Sequence, residues 1–356
     1  MKILLIRMMG LGDVASILIP AVKLFRTKHP DAEISVLTYG AGNELMPLVP
    51  QVHSVFTIEP EQWPGDIIPA MESFFNIATS LLPYKHDLIV NLDTWFMPCL
   101  MARALMDAGL PFEGNHLSMS TAEFIDKLAH QQISADYIYT PARYLESTYA
   151  NMKDWVIPWW NKYPDAGSYP QFYLNHCCGF KGEVEIALDL PVDKQLLEEA
   201  QGRRIIALSA SGRIIAKQYP HAEELRHQLQ EAGFHVWGEF NSTIPMATTL
   251  GRLRASDLLV TVPTSTQWLA KLMGCPSLLI PGPQDPRVLG AELTVAKSLD
   301  CQYCWQQHCP ANLDFACMKI PPNQIVEMVI RHFNKLDKPL YEHTTTTRLG
   351  KNRRKI

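Results

Sequence analysis

The chain has 356 residues, 47% of them hydrophobic and 19% charged, with a formal net charge of −4. This length predicts two domains, and the small net charge provides no global field that would attract nucleic acid, so we expect function to arise from local sites. The opening apolar run is too short for a signal peptide, and no apolar run reaches the roughly 18 residues of a membrane span. We therefore expect a cytoplasmic protein, with peripheral contact at the inner membrane face as an option.

The first elements are a strand, a glycine turn and a helix. Ile3 to Ile6 form a short apolar run, Gly10-Leu11-Gly12 suit a tight turn, and apolar residues recur at helical spacing from Val14 to Phe25, with Pro20 predicting a kink. Asp13 stands at the junction, where ligands bind in open α/β sheets. It is either a helix cap or a functional carboxylate, and the absent third glycine argues against a dinucleotide fingerprint.

Strand and helix signals alternate through the rest of the first half. The predicted strands are Glu33–Thr38, Val55–Ile58 and His86–Leu92, and the predicted helices are Ile67–Leu82 and Met97–Met106. This order predicts a parallel sheet covered by helices on both faces. Residues 134–180 are rich in Tyr, Trp and Pro without a clear period. They form either irregular packing, which we favour, or an aromatic surface that stacks on sugar or lipid-linked groups.

The second half repeats the alternation. The predicted strands are Ile205–Leu208, Phe234–Trp237, Leu258–Val262 and Ser277–Ile280, and the predicted helices are Pro220–Ala232, Ile244–Ala255, Gln267–Met273 and Pro321–Leu336. Each strand ends in small or polar residues, and several such ends side by side form a crevice of nucleotide size. The candidate donor-binding residues at these ends are Ser209, Ser211, Gly212, Lys217, Glu239, Thr264, Ser265, Gly282 and Asp285.

Two of these candidates have specific chemistry. Lys217 beside a turn of small residues would offset the charge of a phosphate held by backbone N–H groups. Glu239 would accept hydrogen bonds from ribose hydroxyls. A solvated surface residue is the alternative for each, because most lysines and glutamates are exposed.

Four cysteines crowd into the loop 300–318, as Cys301-x2-Cys304-x4-Cys309-x7-Cys317. Four thiols in one irregular segment match the tetrahedral ligand set of a structural zinc or iron ion. Disulfides and an iron–sulfur cluster are the alternatives. The metal would be structural, because four protein ligands leave no open position for a substrate.

Five segments together resemble the family 9 glycosyltransferases, the ADP-heptose:lipopolysaccharide heptosyltransferases. They are KILLIRMMGLGDV, HDLIVNL, SASGRIIAKQYP, LLVTVPTSTQWLAKLMGCPSLLIPGPQDP and CMKIPPNQIVEMV, and they occur in the family's order, leaving residues 110–200 uncovered. The resemblance implies a GT-B fold, in which two Rossmann-like domains with parallel sheets face each other. Cysteine-rich ends also occur in some members, including iron-binding protein heptosyltransferases.

The resemblance also implies residue roles. Asp13 matches the proposed general base, Gly10 and Gly12 form the acceptor-side turn, and Lys217 matches the lysine that contacts the donor phosphates. The implied reaction is inverting transfer of heptose or a similar sugar from a nucleotide-diphosphate donor such as ADP-heptose, and no catalytic metal is expected. The acceptor would be a hydroxyl of a saccharide, glycolipid or protein, as in lipopolysaccharide biosynthesis. The small net charge gives no reason to expect nucleic acid as a partner.

One departure from the family pattern concerns the donor site. Where the family has Asp-Thr-Gly followed by His, this chain has Pro263-Thr264-Ser265 and Trp268. The contacts to the sugar must therefore differ, and two alternatives stay open, namely a nucleotide-sugar-binding protein without catalysis and a nucleotide-sugar epimerase.

The predicted division of the chain is as follows. Residues 1–190 form an acceptor domain, 203–320 a nucleotide-sugar domain that includes the cysteine-rich loop, 321–340 a C-terminal helix, and 341–356 a basic tail that we expect to be disordered.

Overall fold

The computed structural model describes residues 1–8, 10–134, 136–240 and 243–336. Within these residues the first half of the chain forms a six-stranded sheet of order β3-β2-β1-β4-β5-β6. Its strands are β1 (Lys2–Ile6), β2 (Glu33–Tyr39), β3 (Ser54–Ile58), β4 (Leu88–Asn91), β5 (Phe112–Leu117) and β6 (Leu145–Ser147). Five strands are parallel, as predicted, but β6 pairs antiparallel with β5. An edge strand tolerates this reversal because it pairs on one side only.

The second half forms a parallel sheet, with order β11-β10-β9-β7-β8 in the described residues. Its strands are β7 (Ile205–Ser209), β8 (His235–Trp237), β9 (Leu258–Thr261), β10 (Ser277–Leu279) and β11 (Leu293–Thr294). Strands β7 and β9 are buried at every position, which explains their continuous apolar runs. The two-residue strand β11 lacks a run long enough to be predicted.

Helices cover both sheets. They are α1 (Leu11–Asp13), α2 (Ile19–Lys28), α3 (Gly42–Leu45), α4 (Ile67–Leu81), α5 (Phe96–Asp107), α6 (Thr121–Ala129), α7 (Pro141–Tyr144), α8 (Trp159–Lys162), α9 (Tyr169–Gln171), α10 (Lys194–Ala200), α11 (Ala222–Glu231), α12 (Met246–Ala255), α13 (Ser265–Leu272) and α14 (Pro322–Leu336). None of the helices in the described ranges is both long and apolar enough to cross a membrane. The predicted basic tail 341–356 and positions 337–340 of the predicted last helix lie outside these ranges.

Two helices begin differently from the prediction, each near a proline. A π-helical turn, Val14–Leu18, lies directly before α2, and Pro20 is the second residue of α2. Proline lacks an N–H and crowds the carbonyl four residues earlier, so the wider turn accommodates it without ending the helix. Helix α11 begins at Ala222, two residues after Pro220, and the Tyr219 N–H before that proline donates to Ala210 O at 2.9 Å.

Both sheets have a topological switch point. In the first sheet the strand order reverses direction between β1 and β4, and in the second it reverses between β7 and β9. Crevices outside the carboxyl ends of such strand pairs are where open α/β sheets bind ligands. The two switch points open onto one shared space, because α1 packs against α13. The contact is close at Gly12, since a Cβ atom added there would lie 3.2 Å from Trp268 Cδ1.

Candidate functional site

A cleft of about 790 Å³ lies between the two halves, at the carboxyl ends of the central strands. It is of the size that small-molecule sites usually have. Nine of the residues singled out in the sequence line it, namely Gly10, Gly12, Asp13, Ser209, Ser211, Gly212, Lys217, Thr264 and Ser265. The cleft therefore brings the first glycine turn and the small-residue turns of the second half together.

Three other candidates do not line this cleft. Glu239 is exposed and pairs with an arginine of α12. Asp285 is buried, and its carboxylate binds the Arg287 guanidinium at 2.6 Å and accepts a hydrogen bond from the Arg287 N–H at 3.0 Å. Gly282 adopts φ 55°, and a Cβ atom added to it would clash with Met318 Sδ at 2.2 Å. In this structure Asp285 and Gly282 shape the loop after β10.

The backbone at Gly10 sets the direction of Asp13. Gly10 adopts φ 79°, a left-handed conformation that favours glycine, and its carbonyl accepts hydrogen bonds from the N–H groups of Asp13 and Val14 at 2.9 and 3.0 Å. The helix thus begins at Leu11, earlier than predicted, with Asp13 in its first turn. The Asp13 carboxylate makes no capping hydrogen bond. The capping alternative is therefore wrong, and the side chain is available for other contacts.

Asp13 is held by two residues that the sequence did not single out. Tyr169 donates its hydroxyl to Asp13 Oδ1 at 2.8 Å, and Arg7 Nη2 lies 3.2 Å from the same oxygen. Arg7 Nη2 also donates to the Tyr169 hydroxyl at 2.9 Å, which closes a triangle of contacts. Within the described residues no donor contacts Asp13 Oδ2, and the side chain is 31% exposed. One carboxylate oxygen is therefore fixed, and the other faces the cleft.

Arg7 is a buried charge at the end of β1. Burial alone lowers the pKa of its guanidinium, but the negative charges around it, among them Asp13 and Asp93, outweigh burial and raise the pKa well above its ordinary value. Arg7 also donates to Leu92 O, and its Nε lies 3.8 Å from Asp93 Oδ1. Arg7 therefore stays charged and neutralises the carboxylates at the switch point of the first sheet.

Tyr169 is a neutral donor in this arrangement. Burial raises the pKa of its phenol well above the ordinary value, and the positive charge of Arg7 only partly offsets this. Its ring packs near Trp155, with ring centroids 5.2 Å apart. The hydroxyl therefore keeps its proton at neutral pH and donates it in the hydrogen bond to Asp13 Oδ1.

Lys217 approaches the cleft from the opposite half. The Gly212 N–H donates to Lys217 O at 2.8 Å, and a Cβ atom on Gly212 would lie 2.6 Å from Lys217 Cβ, so only glycine allows this closed loop. Burial lowers the pKa of the Lys217 ammonium, and the charge of Asp13 opposes that shift. Among the described residues the ammonium has no ion-pair partner within 4 Å, so it faces the cleft as an available cation.

The start of α13 adds backbone donors to the same wall. Thr264 precedes the helix in extended geometry, and none of the described side chains caps the first N–H groups. Ser209 Oγ donates to Thr266 Oγ1 at 3.1 Å, which ties the end of β7 to this helix. Free N–H groups at a helix start favour an anion. The wall formed by Lys217 and this helix start therefore suits a phosphate group.

Trp268 occupies the position where the resembling family has histidine. Its side chain is buried in the cleft wall, against Gly12, with the Tyr169 ring centroid 6.5 Å away. Indole offers only an N–H donor and no acceptor. Any sugar bound beside Asp13 therefore meets an apolar ring here.

Aromatic rings from residues 134–180 form another side of the cleft. Trp155, Trp159 and Trp160 line it, and Trp305 from the cysteine-rich loop packs on Trp160 with ring centroids 4.6 Å apart. Trp159 and Trp160 are buried and also belong to the core. These rings thus serve both packing and the cleft, and the two interpretations of this segment do not exclude each other.

The cysteine-rich loop carries free thiols. Burial and the neighbouring charges of Cys304, Cys301 and Cys309 raise the pKa of Cys317. The N–H of Phe315 lowers the pKa of Cys309, and the Leu313 N–H lies 3.3 Å from Cys309 Sγ. Across the described residues, however, no three His, Cys, Asp or Glu side chains form a group arranged to hold a metal ion.

Of the two residues that contact Asp13, only Arg7 could have been identified from the sequence. Arg7 is a charge directly after a fully apolar strand, where a buried charge demands a partner. Tyr169 lies in a segment without periodicity and far from Asp13 in sequence, and only the fold brings the two together.

Comparison with known proteins shows similarity at the level of structure alone. No family model matches the sequence, and no curated protein matches it either. Among solved structures, the chain is similar to a family 9 glycosyl transferase from Veillonella parvula, with 12% identity, a TM-score of 0.63 and coverage of 94% of this chain and 97% of the other. It is also similar to the E. coli ADP-heptose lps heptosyltransferase II, with 13% identity, a TM-score of 0.59 and coverage of 95% and 100%.

A further similar structure is the iron-containing dodecameric glycosyltransferase TibC of enterotoxigenic E. coli, with 14% identity and a TM-score of 0.55. That alignment covers 94% of this chain and 76% of TibC. Identities this low support the fold, and function has to be argued from the site. The chain has the fold of the family 9 glycosyltransferases, the GT-B fold, as the sequence predicted.

Proposed function

We propose that the protein is an inverting glycosyltransferase that moves a sugar from a nucleotide-diphosphate donor to an acceptor hydroxyl. The observation that carries this proposal is that two reactive groups line one cleft. They are the Asp13 carboxylate, whose Oδ2 is open, and the Lys217 ammonium, which has no ion-pair partner among the described residues. A base and an anion site facing each other suit the two ends of a group-transfer reaction.

The donor would bind on the second half. The Lys217 ammonium and the first N–H groups of α13 would hold the diphosphate, with Ser209, Ser211, Thr264 and Ser265 around it. Negative charge grows on the diphosphate as its bond to the sugar breaks. A cation fixed beforehand stabilises that charge without reorganisation.

Asp13 would act on the acceptor. Its Oδ2 takes the proton of the acceptor hydroxyl, the acceptor oxygen forms a bond to the anomeric carbon, and the bond from that carbon to the phosphate oxygen breaks with its electron pair leaving on the nucleoside diphosphate. Attack from the face opposite the leaving group inverts the anomeric configuration. General-base catalysis of this kind contributes roughly two to four powers of ten in rate.

These roles also assign the two substrates to different parts of the chain. We assign acceptor binding to residues 1–190 and donor binding to 203–320, with a heptose or a related sugar donated by ADP-heptose or a similar nucleotide sugar. The similar structures include the heptosyltransferase WaaC bound to ADP and a TibC complex with ADP-D-beta-D-heptose, which supports a nucleotide-sugar donor. The replacement of histidine by Trp268 supports a donor or sugar that differs from theirs.

A structural zinc or iron ion held by Cys301, Cys304, Cys309 and Cys317 is part of the proposal. Three observations support this ion. Together with burial, the other three thiols of the loop raise the pKa of Cys317, N–H groups surround Cys309, and TibC is described as iron-containing. The side chains as placed do not form a ligand set, so binding would require them to turn towards one another. The metal would stabilise the loop and would take no part in transfer.

A binding protein without transfer is the second candidate. The observation that favours it is Trp268, whose indole cannot replace both hydrogen-bonding roles of a histidine in the cleft wall. Such a protein would bind the nucleotide sugar and leave it unchanged. Binding alone therefore does not separate the two candidates, and turnover does.

A thermal-shift screen of nucleotide sugars tests the donor site. At least one nucleotide-diphosphate sugar should raise the melting temperature in proportion to the logarithm of its concentration, because it binds only the folded state. The Lys217→Ala variant should lose most of this shift, whereas the exposed control Lys319→Ala should keep it. If no nucleotide sugar shifts the wild-type melting temperature, the proposed donor site is wrong.

A further inference from the structure

A second cavity of about 600 Å³ lies within the first half of the chain, on the far side of Trp95 from the cleft. Its lining comes from the end of β2, the starts of α4 and α5 with the residues just before them, the end of α6, and the four residues Ile133, Ser134, Ile138 and Tyr139. None of the residues proposed for transfer lies among them.

The lining is predominantly hydrocarbon. Its floor consists of buried residues of the core beneath the first sheet, Ala70, Phe96 and Met97. The carboxylate of Asp66 is the one charged group among the lining residues that the structure describes, and no lysine or arginine is present there. A phosphate or carboxylate would find no counter-charge, so the cavity suits an uncharged apolar group.

The size of the cavity narrows the class of occupant. A cavity of about 150 Å³ accommodates a benzene ring. The volume of about 600 Å³ is several times larger than a single aromatic side chain requires. An extended, unbranched alkyl chain can fill such a space, and its removal from water costs no free energy because it has no polar groups to desolvate.

The cavity and the cleft adjoin at one residue. Trp95 lines both spaces and is 52% exposed. The turn that carries it is fixed, because the Tyr144 hydroxyl donates to Thr94 O at 2.9 Å, and Thr94 itself lines the cleft. A molecule that occupied both the cleft, where Asp13 lies, and the second cavity would therefore have to pass Trp95.

We propose that this second cavity binds the alkyl chain of an amphipathic acceptor whose polar end occupies the cleft. The placement of the polar end rests on the proposed glycosyl transfer, whereas the binding of the chain does not depend on turnover. The acceptor would thus be recognised at two points, with the sugar or hydroxyl end beside Asp13 and the chain beyond Trp95.

Calorimetry with alkyl β-glucosides tests this proposal directly. Butyl, hexyl, octyl and decyl β-D-glucoside, each below its micelle concentration, should bind with affinities that rise about three- to fourfold per added methylene until the cavity is filled. The lysine variant Ile138→Lys, at the half-buried wall, should abolish this dependence. The control Ile125→Lys, at an exposed position of α6 outside the lining, should leave it intact.

The outcomes separate this inference from the proposed function. Affinity that does not depend on chain length, or that responds equally to the two lysine variants, would overturn the alkyl-chain proposal. Tighter binding of phenyl β-glucoside than of the alkyl series would assign the cavity to an aromatic side chain of a protein acceptor instead. A nucleotide-sugar thermal shift that persists in Ile138→Lys shows that the variant is folded and that the donor site is independent.

Discussion

Asp13 owes its proposed role to two residues that fix one of its oxygens. The Tyr169 hydroxyl and the Arg7 guanidinium both contact Oδ1, at 2.8 and 3.2 Å. A carboxylate with one fixed oxygen presents the other in a defined direction, which is the condition for proton transfer to a bound substrate. Tyr169 is therefore a positioning residue, and Asp13 is the residue that would touch the acceptor.

Replacing Tyr169 by phenylalanine tests this positioning. Removal of a hydrogen bond to a charged group should reduce kcat about ten- to a hundredfold, because such a bond contributes about 1.5–3 kcal/mol. The donor-induced thermal shift should stay unchanged, since the hydroxyl that is removed contacts Asp13 and Arg7 and the ring stays in place. The control Tyr84→Phe alters an exposed ring away from the cleft and should retain full activity. An equal loss in both variants, or none in Tyr169→Phe, would contradict the role.

The buried position of Lys217 predicts that the affinity for the donor depends on pH. Its pKa is lowered by burial, so its ammonium loses the proton at a lower pH than an ordinary lysine does. Affinity for ADP should therefore be full near neutrality and should fall as pH rises towards the ordinary lysine pKa. A Lys217→Arg variant keeps its charge across this range and should show a flatter profile. Calorimetry at several pH values measures both, and parallel profiles for the two proteins would rule out Lys217 as the titrating group.

At the scale of elements, the cysteine-rich loop connects a proposed metal site to the cleft. The backbone N–H of Trp305 donates to Pro283 O at 2.9 Å, and Gln302 Nε2 donates to Gly282 O at 3.0 Å, so the cysteine-rich loop is tied to the loop after β10. Its tryptophan then packs on Trp160 of the first half. The loop therefore carries part of the cleft wall through Trp305, whereas none of its four cysteines lines the cleft.

The metal content of purified protein tests the loop. Wild-type protein prepared without oxygen should contain about one equivalent of zinc or iron, because four thiolates form a closed structural site. Cys309→Ser should lose most of that metal and melt at a lower temperature. Cys275→Ala removes a cysteine outside the loop and should keep its metal. Less than about half an equivalent in the wild type would count against the site.

Most elements were predictable because periodicity and local turn chemistry determine them. The buried strands β1, β7 and β9 carry continuous apolar runs, and the glycine turn before Asp13 has a local cause. The antiparallel edge strand β6 was not predictable, because its three residues lie in a segment without a period. The contacts of Tyr169 with Asp13 were not predictable either, because they join residues distant in sequence. Local patterns thus indicated the carboxylate, and only the fold showed what holds it.

At the scale of the whole molecule, the cleft exists because two sheets present their switch points to each other. Gly12 and Trp268 form the close contact between α1 and α13, and the cleft opens beside that contact. A donor on one half and an acceptor on the other would then meet in a space from which closure excludes water. The similar structures share this two-sheet arrangement over nearly the full chain at 12–13% identity. The arrangement is therefore the common feature, and the side chains at its centre determine the chemistry.

The most direct measurement compares turnover of the bound nucleotide sugar by wild-type protein and by Asp13→Asn. The donor identified by thermal shift is incubated with each protein, with water or an added alkyl glucoside as the acceptor, and the product is followed by NMR. The asparagine variant keeps the shape of the side chain but cannot take a proton. We predict that it binds the donor normally, that its rate is lower by roughly two to four powers of ten, and that the wild-type product has the inverted anomeric configuration. Equal rates for the two proteins, or no turnover by wild type of any donor that it binds, would contradict the proposal that Asp13 is the base of a glycosyltransferase.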